Sequence, residues 1–264
     1  MYAQKPLWNA LSTTKENFYA IVRGKGFRYQ TAADGKIYLS EGCHRLQVSD
    51  KHRAFEIYRN GIEWRGQFLF ESYCLGNIDF KKDDIVFDCG ANSGDLFLEL
   101  SKLIQPQGYY AFEPNPQDFE VLNFNVDAGA KLFNFGLGNA NSDLSFFVFT
   151  RGGDSSFIEP RTYTQKITVP SVRLDWFIRK RNISSIKLLK IEAEGFEPEI
   201  LEGLGNMLSI CEYIALDGGY ERGKNCEQTF TVCTNYLLSK HFQIVDICFP
   251  HYRALYKRIK SASF

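Results

Sequence analysis

Apolar residues fall in short blocks along this chain, and their spacing switches between the two-residue period of a strand and the three-to-four-residue period of a helix. Residues 85–88 predict a strand, and Leu96, Leu100 and Leu103 at i, i+4 and i+7 predict the helix behind it. Residues 109–112 predict a second strand ending at Glu113, after which Asn115 is placed to cap, and Pro116 to open, a helix burying Phe119, Leu122 and Val126. Residues 131–135 read as a third strand, 187–191 as a fourth and 213–217 as a fifth. Pro198 starts a helix with Ile200, Leu201, Leu204 and Leu208 facing inward. Extra strands at 144–149 and 166–169 flank the glycine-rich stretch 151–156, which fits a rim better than a core.

Strand and helix in alternation imply right-handed crossovers and a parallel sheet. At the end of the chain a helix containing Phe230, Leu237 and Leu238 precedes two apolar runs, 242–249 and 253–259, separated only by Pro250-His251-Tyr252. That gap is too short for a helical crossover, so the two runs predict antiparallel neighbours. The expected fold class is therefore α/β, a Rossmann-like sheet that is mostly parallel and ends in an antiparallel C-terminal hairpin. It occupies residues 81–264.

Residues 1–80 read differently, as a small α+β extension rich in Arg, Lys and Tyr. Strand-like pieces at 18–22 and 36–39 are punctuated by Gly24, Gly26 and Gly35. Ser49-Asp50 can cap a helix to about Arg59, and a second helix is expected over 62–74. These pieces are too short for a core of their own and are expected to cover the following domain on its substrate side.

Lys+Arg and Asp+Glu each number 31, so the long-range field that gathers nucleic acid is missing and nucleic acid is disfavoured as a partner. Seven cysteines, an odd number with no Cys-x-x-Cys pair, point to free thiols and a reducing, cytoplasmic setting. The first twenty residues lack a secretory pattern, and no apolar run approaches the roughly 20 residues that cross a bilayer.

The chemistry concentrates at Asp88-Cys89-Gly90-Ala91-Asn92-Ser93-Gly94, a strand tip, a glycine turn and a helix start that bring backbone N–H groups toward a nucleoside-bearing cofactor. Gly90 allows close approach and Gly94 relieves crowding where turn and helix meet. Glu113, at the tip of the next strand, can accept hydrogen bonds from both hydroxyls of a ribose. A dinucleotide site normally shows Gly-x-Gly-x-x-Gly, whereas the spacing here is Asp-x-Gly-x-x-x-Gly. Asp88 would repel a pyrophosphate but can receive the ammonium group of a methionine moiety, so S-adenosylmethionine fits the charge pattern better. The expected cofactor set is Asp88, Gly90, Ala91, Asn92, Gly94, Glu113, Asn115, Gly136 and Leu137.

Three segments in order carry a resemblance: Phe87 through Gly94, Phe112-Glu113-Pro114-Asn115-Pro116, and Leu188-Leu189-Lys190-Ile191-Glu192-Ala193-Glu194-Gly195-Phe196-Glu197. Together they resemble the signatures of FkbM-type S-adenosylmethionine-dependent methyltransferases of class I, over about residues 70–260. The family commonly has Asp where this chain has Glu192, one methylene longer. The resemblance implies O-methylation of a small hydroxylated acceptor, often a sugar or polyketide-like product. Alternatives are a methyltransferase for protein or nucleic acid, and a module that binds S-adenosylmethionine without turnover.

A base for such a hydroxyl should lie at the carboxyl ends of the fourth and fifth strands, where Glu192, Glu194 and Asp217 are the acidic residues. Glu194 and Glu197 can equally serve the positive end of the following helix, and Asp217 a turn with Gly218-Gly219. Glu192 and Asp217 at adjacent tips admit a divalent metal, which is not the favoured reading. His44 and His52 in the extension are further base candidates, Ser155 and Ser156 can touch cofactor or acceptor, and Tyr58, Arg59, Trp64 and Arg65 can meet a sugar.

Overall fold

Strands β1 (Phe27–Thr31), β2 (Ile37–Glu41) and β3 (His44–Val48) form an antiparallel sheet in the order β1-β2-β3. The computed structural model describes residues 26–149 and 154–259, together with 14, 15, 17, 18 and 20. Asn17, Phe18 and Ala20 are helical, which corrects the strand expected over 18–22; Ile21 and Val22 lie outside the described residues. Helix α1 (Lys51–Ile57) follows, with the Asp50 carboxylate accepting from the backbone N–H groups of His52 and Arg53 as the sequence predicts. Alternation in the three strands buries Phe27, Tyr29, Ile37 and Leu39 on one face, where Ala54 and Tyr58 close over them. The extension thus has a small buried cluster of its own, because three paired strands and a helix bury together what the isolated pieces cannot. Leu98 of the following domain packs against that cluster.

Helix α2 (Ile62–Ser72) leads to the main sheet and contributes Leu69 to its core. Then come β4 (Val86–Cys89), α3 (Phe97–Leu103), β5 (Tyr109–Phe112), α4 (Pro116–Asn125) and β6 (Lys131–Phe133). Strands β7 (Gly136–Gly138), β8 (Ser142–Val148) and β9 (Gln165–Arg173) make a second sheet in the order β7-β9-β8. The chain returns through α5 (Leu174–Lys180), β10 (Ile186–Ile191), α6 (Glu197–Leu204), β11 (Cys211–Asp217), α7 (Phe230–Ser239), β12 (Phe242–Cys248) and β13 (Arg253–Arg258).

The main sheet has seven strands in the order β12-β13-β11-β10-β4-β5-β6. Its pairings from β11 to β6 are parallel, and β13 runs antiparallel to both β11 and β12, the expected hairpin. The central strands β4, β5, β10 and β11 are buried on both faces, and the two-residue period decides which side chain goes where. Phe87, Tyr110, Phe112, Leu189 and Ile214 pack on one side; Val86, Tyr109, Ala111, Leu188 and Tyr213 pack on the other. The chain runs outward through β4, β5 and β6, then resumes on the opposite flank of β4 with β10. That reversal opens a crevice at the strand tips, where open α/β sheets bind ligands.

Candidate active site

The crevice holds a cavity of about 900 Å³, part of it open to solvent, bounded by the tips of β4, β5 and β10, by β7, and by α1 and α2 of the extension. Gly90, at φ +74°, sits against the loop after β10: a Cβ there would fall 1.9 Å from the Glu192 carbonyl oxygen. Gly94, at φ +87°, lies outside the cavity wall, and a Cβ there would strike Val126 and Leu122 of the α4 region. One glycine therefore joins two strand tips, and the other seats a turn against a helix.

The backbone donors of this loop are already committed. The N–H groups of Gly90 and Ala91 donate to the Phe112 carbonyl at 3.0 and 3.1 Å, and that of Asn92 donates to Glu113 Oε2 at 2.8 Å. Closure of the parallel sheet uses these N–H groups, while Gly90, Ala91 and Asn92 themselves remain in the cavity wall. Glu113 Oε1 accepts from the Asn115 backbone N–H at 2.8 Å, so each carboxylate oxygen is fixed by one amide and keeps lone pairs for further donors. Burial, with Asp118 nearby, raises the Glu113 carboxyl to about 8 against the amides that favour its charge. Asn115 does not line the cavity: its Oδ1 caps α4 and its Nδ2 donates to Asp118 Oδ2 at 2.7 Å. Ala91, Asn92, Glu113, Gly136 and Leu137 all line the wall, joined by Phe112, Phe146, Phe157, Phe196 and Ile200 as an apolar surface.

Asp88 also reaches the wall, but its carboxylate is fully buried and engaged. Lys190 Nζ lies 3.0 Å from Oδ1, and the Tyr109 hydroxyl donates to Oδ2 at 2.5 Å. Lys190 thus sets an ammonium group of the protein's own beside Asp88, whose Oδ1 has no hydrogen-bond partner. A lone lysine in the apolar run 188–191 was the available signal, since a buried cation requires a partner. Lys190 Nζ also donates to the Gly90 carbonyl at 2.8 Å and lies 2.9 Å from Glu192 Oε2.

Glu192 lies between two cations, Lys190 and Arg253, the latter at 3.2 Å. Burial opposes its ionisation, but the charges of Lys190 and Arg253 prevail and hold the carboxyl well below the usual range. Such a carboxylate orients neighbours and is a weak proton acceptor. Asp217, the register partner of Arg253 on β13, accepts from Arg253 Nε at 2.7 Å and from the Gly219 N–H at 3.2 Å, and does not line the cavity. Arg253 further donates to Ser72 Oγ at 2.6 Å, tying α2 to the strand tips.

Glu194 does line the cavity. It adopts φ +50°, and the buried Ser156 hydroxyl donates to its carbonyl at 2.7 Å. Its Oε2 is buried without a hydrogen-bond partner, and burial, with the charges of Glu221 and Glu192, pushes its carboxyl well above the usual range. Glu197, the neighbouring acidic residue, is committed to the turn: Oε1 accepts from the N–H groups of Ala193 and Gly195, and Oε2 from the Thr229 hydroxyl. Of the three base candidates, the structure brings Glu192 and Glu194 to the cavity and keeps Asp217 behind it.

Ser155 lines the cavity, whereas His44 and His52 do not. Residues 151–153 of the glycine-rich stretch lie outside the described residues. From the extension, Arg53, Arg65, Leu69 and Tyr73 reach the wall; Tyr58 is buried with its hydroxyl donating to Asp95, Arg59 is exposed and Trp64 stacks on Phe68. Among the described residues no group of three or more His, Cys, Asp or Glu side chains is arranged to hold a metal ion, and no helix is long and apolar enough to cross a membrane.

Comparison with known proteins places this geometry. "Methyltransferase 1" of Beauveria bassiana is 25% identical over 61% of this chain and 75% of its own length. Hexuronic acid methyltransferase AglP of Haloferax volcanii is 24% identical over 52% of this chain, which spans little more than half of that protein, 56%. The 31-O-demethyl-FK506 methyltransferase FkbM of Streptomyces tacrolimicus is 27% identical over 53% of this chain and 67% of its own length. The profile of the Methyltransferase FkbM domain matches residues 88–251, from the buried aspartate at the tip of β4 to the turn of the final hairpin. Because that stretch holds the crevice strands and most of their carboxylates, the chain belongs to the FkbM methyltransferase family.

Proposed function

We propose that this protein transfers a methyl group from S-adenosylmethionine to a hydroxyl of a carbohydrate or related small metabolite. The observation that carries the reading is Glu113: a buried carboxylate at a strand tip, each oxygen held by one backbone amide, in the wall of the crevice cavity. Asn92, Ala91 and the aromatic wall flank it. Leu137 and the apolar side chains beyond it suit the flat faces of a base.

When bound, S-adenosylmethionine supplies a methyl group on positively charged sulfur. Holding the acceptor oxygen in line with it contributes up to ~7–11 kcal/mol of barrier reduction, so orientation is the protein's main task. Glu194 is the side chain placed to take the hydroxyl proton, since it lines the cavity, its Oε2 has no partner and burial raises its affinity for a proton. Lys190, Glu192 and Arg253 hold the strand tips around it as an ionic frame. Residues 1–80 act as the cover on the acceptor side, delivering Arg65 and Tyr73 to the wall.

A sugar acceptor is supported by the relative named as a hexuronic acid methyltransferase, and transfer to oxygen by the FK506 enzyme. Seven free cysteines support a reducing, cytoplasmic setting. Calorimetry with S-adenosylhomocysteine should show binding to the wild type that Glu113→Ala abolishes; equal binding by the variant removes the ribose assignment. Labelled methyl donor incubated with free and glycosidic sugars, hexuronic acids included, should give methyl ethers. Label appearing only on protein or nucleic acid would overturn the acceptor class.

A further inference from the structure

The extension presents two arginines to the cavity, and their circumstances differ. Arg65 Nε donates to Asp95 Oδ2 at 3.0 Å, while the other oxygen of Asp95 takes the Tyr58 and Ser93 hydroxyls. That carboxylate already accepts three donors. Arg53 lies on α1, anchored through its backbone N–H to Asp50, and lines the cavity on the side of Asn92. No carboxylate among the described residues forms an ion pair with Arg53, and its Nε is buried without a hydrogen-bond partner. A buried donor on a cation left in this state costs at least ~1–3 kcal/mol, so the site gains by receiving an acceptor there.

The ligand of the proposed function carries one anionic group, the carboxylate of its amino-acid end. At many glycine turns such an anion rests on backbone N–H groups. Here those of Gly90, Ala91 and Asn92 already donate to Phe112 and Glu113, so a carboxylate in this cavity must be met by side chains. At the strand-tip end Lys190 is committed to Asp88, Glu192 and the Gly90 carbonyl, while the guanidinium of Arg53 offers a planar pair of donors matched to it. We infer that Arg53, outside the stretch matched by the family profile, binds the amino-acid carboxylate of S-adenosylmethionine, so that the extension completes the cofactor site. This rests on the proposed function.

Two ligands separate the inference from that reading. S-adenosylhomocysteine has the amino-acid end, and 5′-methylthioadenosine keeps the adenosine but lacks it. By calorimetry, Arg53→Gln should weaken S-adenosylhomocysteine about 10- to 100-fold and leave 5′-methylthioadenosine unchanged, with Arg53→Lys between wild type and Gln. Thermal unfolding of both variants reports that α1 remains folded. An unchanged ratio of the two affinities, or equal loss for both ligands, overturns the inference. So does unchanged S-adenosylhomocysteine binding with a raised KM for a hexuronic acid alone, which moves the carboxylate to the acceptor. If neither ligand binds the wild type, the cofactor reading itself fails and the assignment of Arg53 falls with it.

Discussion

Lys190 and Asp88 are register partners on adjacent parallel strands, and their side chains meet at 3.0 Å with 4% and 0% of their surface exposed. A buried pair of this kind contributes little beyond what apolar residues would, yet removing one member strands the other. Asp88→Asn and Lys190→Met should each lower unfolding free energy by about 3–5 kcal/mol in urea titration. The double variant should lose less than the sum of the two. Additive losses would show that the two groups act independently.

The acidic residues after β10 have opposite environments two positions apart. Glu192 is neutralised by Lys190 and Arg253, whereas burial and the charges of Glu221, Glu192, Asp154 and Asp217 all disfavour ionisation of Glu194. Glu194→Gln should therefore reduce kcat by roughly 10²–10⁴ while leaving S-adenosylhomocysteine affinity intact. Since the base must be ionised and its pKa is raised, wild-type kcat should climb with pH above the ordinary carboxylate range. Glu221, which burial and the charge of Asp217 raise to about 8, shares this acidic region. Asp217→Asn should act through Arg253 on stability and, by removing one of the charges that raise Glu194, move the rise in kcat to lower pH without abolishing it. A rise abolished by Asp217→Asn but indifferent to Glu194→Gln would exchange their roles.

Glu113 links the ligand site to stability. Its folded carboxyl is raised from 4.5 to about 8 by burial and Asp118, so the folded state favours the protonated form. That contribution is fully present below about pH 4.5 and is lost as pH rises through about 8, so the ligand-free protein should lose stability across this window. Glu113→Gln, which cannot ionise and whose NH2 leaves one of the two backbone N–H groups without its acceptor, should flatten the dependence. Melting curves between pH 5 and 9 for both proteins check this; parallel curves would locate the titrating group elsewhere.

Much of this architecture is legible in the sequence because both faces of the parallel strands are buried. The apolar runs at 85–88, 109–112, 187–191 and 213–217 could not be satisfied as surface elements, and the short Pro250-His251-Tyr252 gap admitted only a hairpin. Asp50 and Asn115 announced their helices by local hydrogen bonding, which needs no tertiary information. The sheet β7-β9-β8 was only half visible, since Gly136-Leu137-Gly138 has one apolar side chain and takes its strand form from pairing with Ser171-Val172-Arg173. The helical state of Asn17, Phe18 and Ala20 likewise ran against a local apolar pattern.

The site divides along the same line. The place of Glu113 at a strand tip on the crevice could be read because it ends an apolar run. The partners of Asp88 and Asp217 could not, because Lys190 and Arg253 arrive from strands 102 and 36 residues away, and charge compensation is fixed only when the sheet closes. Arg53 gave no signal in a segment already rich in arginine. Its meaning comes from what the folded chain fails to place against it.

Gly203 tests how tightly the cavity floor is built. In the interior of a helix, glycine to alanine usually stabilises by about 1 kcal/mol, because the unfolded chain loses freedom and the helix gains a side chain. In α6 the sign should reverse: a Cβ on Gly203 would fall 1.9 Å from the Gly138 carbonyl oxygen and 2.7 Å from its carbon. Those are backbone atoms of β7, which cannot swing aside as a flexible side chain does, so α6 or β7 must shift. Overpacking of this kind costs roughly 1–3 kcal/mol, enough to outweigh the helical gain. Gly136 and Leu137 precede Gly138 on the same strand and line the cavity, so the displacement should reach the ligand. Gly203→Ala should unfold at lower urea and bind S-adenosylhomocysteine more weakly. A variant more stable than the wild type would show that α6 and β7 stand further apart than this packing allows.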